Sequence, residues 1–300
     1  MRKAIISVLI CLCTVWIGWS LVPHFQDNAV QAWLLDVGQG ESALVHEPGN
    51  KLLLFDGGPD DSVLSQLGGV LPPWWRHIDL LVLSHNHNDH ISGLTAVLQR
   101  YQVDEVWTSD ASYSTPEKAL FDTLITEHHI TKKVMYADFA HCKAVRACPA
   151  VIQFGQATLQ VYHPLEPMTG QQPKDQHDAT LSIRVTYASH SLFLTGDLQE
   201  RHEATMLNEC RQPWCSMKSD VLQVPHHGSG TGLSLPFLDA VRPSYAVIPV
   251  GSNNKFHHPS PKTLARLGTK GIATYRTDTN GRISIIITGQ GVTVHPEHPG

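Results

Sequence analysis

The sequence is short of charge, and of bases in particular. Only 16% of its 300 residues are Asp, Glu, Lys or Arg, and 22 bases face 27 acids. A formal charge of −5 argues against a protein that coats nucleic acid non-specifically, because such proteins use a surplus of cations to displace counterions. No internal repeat recurs, which weighs against solenoids and propellers. No C-x2-C pair occurs, which weighs against a zinc knuckle. Beyond residue 23 no apolar run reaches 18 residues, the length a membrane-crossing helix needs. No Pro-, Gly- or Ser-rich linker divides the chain, so residues 24–300 read as one domain. With 42% hydrophobic residues, that domain has material for a full core and is not low-complexity chain.

The first 26 residues lack acids altogether. Arg2 and Lys3 precede an apolar run from Ala4 to Val22. Residues 1–23 therefore read as a secretory signal peptide or a single membrane anchor, with a buried core helix as the bland alternative. No clear small-x-small cleavage site precedes Pro23. Cysteines are few: Cys11 and Cys13 lie in the apolar run, and Cys142 with Cys148 and Cys210 with Cys215 form close pairs. Behind an export signal these pairs read as two disulfide-closed loops, with free thiols or a zinc site as alternatives. Both features point to an exported protein, periplasmic or extracellular, or one held by its N-terminal segment.

Short apolar runs alternate with turn signals. Ala32–Val37, Ser42–His46 and Lys51–Phe55 read as a strand meander, and Ile78–Leu83 as a buried strand. Residues 92–101 and 117–128 read as helices, and 104–107 as a strand. Later strands are expected at 157–162, 181–187, 191–195, 220–224, 244–249 and 283–288, and helices at 199–209, 233–240 and 261–268. The stretches 137–150 and 164–178 carry the fewest order signals. Strands with interspersed helices give an α/β class, sheets covered by helices.

What the sequence has in excess is histidine, 19 residues. Histidine is the commonest metal ligand and general acid or base. The densest arrangement is Ser84-His85-Asn86-His87-Asn88-Asp89-His90, directly after the buried strand. A loop leaving a strand end can turn alternate side chains into one cavity. His85 and His87 suit one metal, while Asp89 and His90 can turn to a second a few ångströms away. Leu194-Thr195-Gly196-Asp197 ends an apolar strand in a carboxylate, the natural bridge between two cations. Val224-Pro225-His226-His227-Gly228-Ser229 and His257-His258-Pro259 follow two further strands. Taken singly, each of these pairs is as readily plain surface polarity.

Together these residues resemble the metallo-β-lactamase fold, whose signature is similar to His85-x-His87-x-Asp89-His90. Asp36-Val37-Gly38-Gln39-Gly40-Glu41-Ser42 and Asp56-Gly57-Gly58 resemble the opening of one branch, the C-terminal hydrolase domain of ComEC competence proteins and its stand-alone relatives. Leu194–Asp197, Pro225–Ser229, His258-Pro259 and Tyr275-Arg276-Thr277-Asp278 follow in that branch's order. The resemblance implies a four-layer αβ/βα sandwich and two divalent metal ions, Zn²⁺ first and Mn²⁺ second. It implies His85, His87, Asp89, His90 and Asp197 as metal ligands, with His226 completing the second site. Asp89, His227 and His258 then become the catalytic residues. The chain departs from the branch in two places. Glu41 stands for the usual Asp, and His177-Asp178-Ala179-Thr180 stands where an Asn-rich stretch is usual. Other branches use a histidine near that point, so His177 is expected as a further metal ligand. One N-terminal apolar segment is no many-spanning channel, so this chain alone is not expected to translocate DNA.

Two such cations lower the pKa of a shared water and neutralise a developing oxyanion, the chemistry of a hydrolase. For the substrate, Lys255, Lys262, Arg266, Lys270, Arg276 and Arg282 crowd the stretch around His258 with only Asp278 against them. A basic rim suits DNA or another phosphodiester, giving a nuclease or phosphodiesterase. The rival is hydrolysis of small esters, lactones or β-lactams, for which Trp74 and Trp75 would supply an apolar rim. A non-catalytic DNA-binding accessory is the third reading.

Overall fold

The protein is described by a computed structural model covering residues 25–139, 151–212 and 215–299. The expectations for residues 1–23 and for Cys142 with Cys148 lie outside the described residues. Among the described residues, no helix is long and apolar enough to cross a membrane.

Two sheets face each other. The first runs from edge to edge as β15 (Gly291–Pro296), β14 (Ile283–Thr288), β1 (Val30–Leu34), β2 (Ala43–His46), β3 (Leu52–Phe55), β4 (His77–Val82), β5 (Gln102–Thr108) and β6 (Thr131–Val134). The second runs as β13 (Ala273–Arg276), β12 (Tyr245–Ile248), β11 (Val221–Gln223), β10 (His190–Leu194), β9 (Ser182–Tyr187), β8 (Ala157–His163) and β7 (Val151–Phe154). Their facing sides bury Val45, Leu53 and Phe55 against Leu159, Ile183, Leu192 and Val247. The outer face of the first sheet is covered by α1 (Ser62–Val70), α2 (Asn88–Leu98) and α3 (Pro116–Glu127), through Leu67, Leu94 and Phe121. The outer face of the second is covered by α4 (Glu200–Glu209), α5 (Leu235–Val241) and α6 (Pro261–Thr269), through Met206, Phe237 and Leu267. This is the expected αβ/βα sandwich: each sheet needs a layer on both faces to remove its apolar side chains from water.

Helix starts follow sequence chemistry. Thr115, Ser234 and Ser260 each cap a helix by accepting a backbone N–H, and each is followed by proline in the first turn. Cys210 and Cys215 form a disulfide just beyond α4, with Cα atoms 5.2 Å apart.

Strand direction positions the site. β3 to β6 are parallel, and so are β10 to β13. Ligands in such sheets gather at the carboxyl ends of the strands, where successive loops emerge on one side. The loops after β3, β4, β10, β11 and β12 carry Asp56, His85–His90, Asp197, His226–His227 and His258 respectively. Trp74 and Trp75 immediately precede β4 and so lie at its opposite end. The rim expected of these two tryptophans is therefore not formed.

Several elements depart from the sequence expectation. The helix expected at 92–101 starts four residues earlier, at Asn88, so Asp89 and His90 sit in its first turn. An acid there is favoured by the helix dipole. The strands β6, β7, β13 and β15 and the helix α1 carry no strong periodic signal. β6, for example, is Thr-Lys-Lys-Val with its first three residues exposed. Cross-strand pairing makes such edge strands, not apolar periodicity.

Helix α2 is seated on the loop after β3. The Gly57 N–H donates to His90 O at 2.8 Å, and the Gly93 N–H to Gly58 O at 3.1 Å. A Cβ at Gly93 would stand 1.9 Å from Gly57 O and 2.6 Å from Asp60 O, both backbone. Gly93→Ala therefore has to lift α2 away from the loop. The expected cost is about 3 kcal/mol, read as a fall in melting temperature, with a loss of bound metal because Asp89 and His90 move with the helix.

Candidate metal centre

Asp197 is the meeting point. It leaves β10 through Gly196, whose φ of +55° suits glycine. The turn is fixed by Gln223 of β11, whose Oε1 accepts from the N–H groups of Thr195 at 2.6 Å and Gly196 at 2.9 Å. The carboxylate then divides its two oxygens. Oδ2 faces His177 Nε2 at 3.5 Å, His226 Nε2 at 3.6 Å and His85 Nε2 at 3.8 Å. Oδ1 faces His90 Nε2 at 3.4 Å and His227 Nε2 at 3.6 Å.

Two donor groups result. His85, His87, His177 and Asp197 bring one ligand atom each within 4.8 Å of one another, and Asp89, His90 and His227 do the same. The second group is tied by Asp89 Oδ2, 3.3 Å from His227 Nε2. The imidazoles are aimed from behind. His90 Nδ1 meets Asp56 Oδ2 at 2.7 Å, His177 Nδ1 bonds Asp175, His85 Nδ1 meets Ser84 Oγ at 3.0 Å, and His227 Nδ1 meets Pro249 O at 3.0 Å. Metal-binding histidines are held this way, the rear nitrogen bonded and the front one free. Asp56 also accepts from the Ser84 N–H at 2.7 Å, so one carboxylate orients both His90 and the loop of His85.

The residues fit divalent cations. His90 Nε2, His227 Nε2 and Asp197 Oδ1 are buried and have no hydrogen-bond partner. Orphaned atoms of this kind are costly unless something binds them. Burial, with His90 next to it, pushes His85 well below the ordinary imidazole pKa and so into its neutral, ligand form. Burial likewise brings His226 down to about 4. Burial opposes ionisation of Asp197, yet His227, His90 and His226 together hold its carboxyl well below the usual range. The backbone at His226 and His227 is left-handed, with φ of 51° and 52°. Two consecutive non-glycine residues in that region cost roughly 1–2 kcal/mol each, strain of the kind that collects at functional sites.

A family model, the metallo-beta-lactamase superfamily, matches residues 35–150. The chain is 30% identical over 270 residues to competence protein ComA of Neisseria gonorrhoeae, covering 89% of this chain and 33% of that protein. It is 27% identical over 289 residues to ComE operon protein 3 of Bacillus subtilis, covering 90% and 34%. It thus spans about a third of the length of these relatives. Among solved structures, Tm1679, described as a metal-dependent hydrolase of the beta-lactamase superfamily, superposes with a TM-score of 0.51 at 15% identity, covering 84% of this chain and 98% of that one. This is a metallo-β-lactamase-fold chain. Its His and Asp groups fit the dinuclear divalent centre of a metal-dependent hydrolase.

Within that fold the residues named from sequence fall in different places. His85, His87, His177 and Asp197 share the first group, and Asp89 and His90 the second. The expectation that His226 completes the second group is not met. Its neighbour His227 reaches Asp89 and His90, while His226 faces Asp197 Oδ2 and stacks near His177 and His258, with ring centres 4.5 and 5.8 Å away. Adjacent residues in a left-handed turn point to different sides, which spacing alone does not reveal. His258 is half-buried at the rim, and its Nδ1 has no partner. His257 is exposed.

The expected basic rim is largely neutralised. Lys262 and Arg266 pair with Glu200, Lys270 with Asp239, Arg276 with Asp278 and Arg282 with Glu297. Of the six bases, Lys255 alone has no acid partner among the described residues. Sequence reasoning also left Ser84, Asp175 and Gln223 without a role, and named Asp56 only as part of a motif. Asp56 could have been found by the signal that found Asp197, an acid directly after an apolar strand.

Two predictions follow from this geometry. Asp56→Asn leaves His90 Nδ1 without its carboxylate, and metal affinity should fall 10- to 100-fold in a chelator competition titration. The second concerns His163, buried beneath the loop of His177, where it bonds Thr180 O. Burial, with His202 alongside, brings it down to about 3 from its ordinary 6.5. Between these values the unfolded chain binds a proton that the folded chain refuses. Its contribution is full above pH 6.5 and is lost as pH falls toward 3, by at most about 1.4 kcal/mol per pH unit. Denaturant midpoints across that range should fall less steeply for His163→Gln than for the natural chain.

Proposed function

We propose that the chain is an exported phosphodiesterase or nuclease working with two zinc ions. The observation that carries the hydrolase reading is Asp197, one buried carboxylate with each oxygen turned to a separate group of histidines. In this reading His85, His87, His177 and Asp197 would hold one cation, and Asp89, His90 and His227, with Asp197 beside them, would hold the other. Five imidazoles and two carboxylates favour Zn²⁺ over Mn²⁺. Bound there, the pair supplies a water of lowered pKa and neutralises charge on a phosphoryl oxygen.

The chain's own groups do the rest. Asp89 has one oxygen on His227 and the other turned toward His90 Nε2, 3.9 Å away, so it can orient a water while holding its place. His258 sits half-buried at the rim and in this reading serves as the proton donor to the leaving oxygen. His226, neutral at pH 7, faces the same open side of Asp197 and positions the substrate oxygen. A phosphodiester is favoured over a lactam because the tryptophans that would have made an apolar rim lie at the far end of β4. The relative named competence protein ComA supports a nucleic-acid substrate. Export is supported by the Cys210–Cys215 disulfide.

The test is hydrolysis of bis-p-nitrophenyl phosphate and of nitrocefin by the full chain, reconstituted with Zn²⁺ or Mn²⁺. Phosphodiester turnover that is abolished by chelator and falls at least a thousandfold in Asp197→Ala is expected. Nitrocefin turnover without phosphodiester turnover would sink the proposal. His258→Ala should lower turnover about a hundredfold while metal content, measured by atomic emission, stays at two per chain.

A further inference from the structure

Two aromatic rims flank the metal centre. On one side lies a cavity of about 740 Å³ bounded by His87, Tyr113, Lys174 and His177. Tyr113 is half-buried there, its ring centre 6.1 Å from that of His87. Its loop follows β5 of the first sheet. On the other side, the loop after β12 of the second sheet lifts Phe256 into solvent, 52% exposed. Phe256 lies nearly parallel to His258, with ring centres 5.7 Å apart and planes at 26°. From Phe256 the rings continue through His258, His226, His177 and His87 to Tyr113, each contact between 4.5 and 6.1 Å. The metal groups sit at the middle of this row.

Phe256 is held in place. Asn254 donates to Gly251 O at 3.0 Å and His258 O at 2.8 Å, and its Oδ1 accepts from the His258 N–H at 2.9 Å. Gly251 is in turn tied to Gln39 of the first sheet's loop at 3.1 Å. The Lys255 ammonium lies over the Phe256 ring, 5.1 Å from its centre, so cation and ring already form one unit at this rim. Each rim also carries an exposed lysine. Lys174 and Lys255 have no acid partner among the described residues, although nearly all other bases around the centre do. Asp175, which shares the cavity with Lys174, is taken by Arg201 and His177.

An aromatic face beside a free cation is the element by which proteins hold unpaired nucleotides, base on ring and phosphate on ammonium. Two such elements astride one hydrolytic centre select for chain length. We propose that Tyr113 with Lys174 and Phe256 with Lys255 are specificity-determining subsites that hold a single-stranded phosphodiester chain across the centre, one base stacked at each rim. This rests on the phosphodiesterase reading for its chemistry and adds the residues that separate an oligonucleotide from a minimal diester. A duplex is disfavoured, since paired bases do not offer their faces.

The experiment measures binding of a fluorescein-labelled 12-mer of thymidylate to the full chain in detergent, by anisotropy, with and without chelator. Phe256→Ala and Tyr113→Ala should each weaken binding about tenfold, Phe256→Trp should restore it, and a duplex of the same length should bind more weakly than the single strand. In turnover, the preference for the 12-mer over bis-p-nitrophenyl phosphate, taken as a ratio of kcat/KM values, should fall about tenfold in each alanine variant. Binding within twofold of the natural chain for both alanine variants, with circular dichroism unchanged, overturns the proposal. So does a failure of the natural chain to bind the 12-mer. Anisotropy does not require turnover, so an inactive protein that binds the 12-mer through Phe256 would sink the hydrolase reading alone.

Discussion

The site depends on a single buried carboxylate whose two oxygens serve two clusters of nitrogen donors. Asp197 is 2% exposed, where an isolated charge is not tolerated. It is tolerated because five imidazoles surround it and the backbone behind it is clamped by Gln223. Removing the positive charge from its surroundings would leave it uncompensated, and removing Asp197 would leave His90 and His227 facing one another. The two donor groups share this one carboxylate, so a change at either reaches the other through Asp197.

The fold brings this about through strand direction. Apart from the 3-10 turn of His177, which joins the antiparallel β8 and β9, each ligand loop leaves the carboxyl end of a parallel strand, and both sheets present those ends to the same cleft. The three helices on each outer face do more than cover apolar residues. α2 carries Asp89 and His90 in its first turn, and α4 carries Arg201 and His202, which grip Asp175 and Asp178 on either side of His177. The segment that holds His177 is a single 3-10 turn, Gln176–Ala179, with Gln176 and Ala179 buried and Gln176 bonded to Asn86 and Ser112 of the first sheet's loops. From the other side it is held by ion pairs from a helix that belongs to the second sheet.

That arrangement explains what could be read in advance. β3, β4, β10 and β14 were visible because buried strands are continuous or alternating apolar runs, and the histidines after β4 stood out by spacing. The segment 164–178 read, after 137–150, as one of the two least ordered, since the contacts that fix it come from residues distant in sequence, Arg201 and His202 on one side and Asn86 and Ser112 on the other. The exchange of roles between His226 and His227 was not readable for another reason. Both follow the same strand, and a left-handed pair of residues, not a periodicity, decides which imidazole turns toward Asp89. The bases near His258 misled because sequence shows a cation but not its partner. Glu200 comes from α4, about 60 residues upstream, and holds both Lys262 and Arg266.

Glu200 also shows why net charge is a poor guide to what this surface can bind. An acid excess does not make the mouth of the site acidic when the acids there are spent on neighbouring bases or turned inward to the metal groups. Asp56, Asp89, Asp175 and Asp197 are all engaged with histidine, arginine or backbone N–H groups. Among the described residues, Lys174 on one side of the mouth and Lys255 on the other have no acid partner, and Lys255 lies over the Phe256 ring. On the function proposed above, a chain that is acidic overall would thus offer a polyanion two local points of attraction beside the metal groups. Long-range repulsion from the rest of the surface is screened within about 10 Å at moderate salt, while contacts inside the cleft are not. Selection by local geometry, with little non-specific adhesion, is what that balance of charge provides.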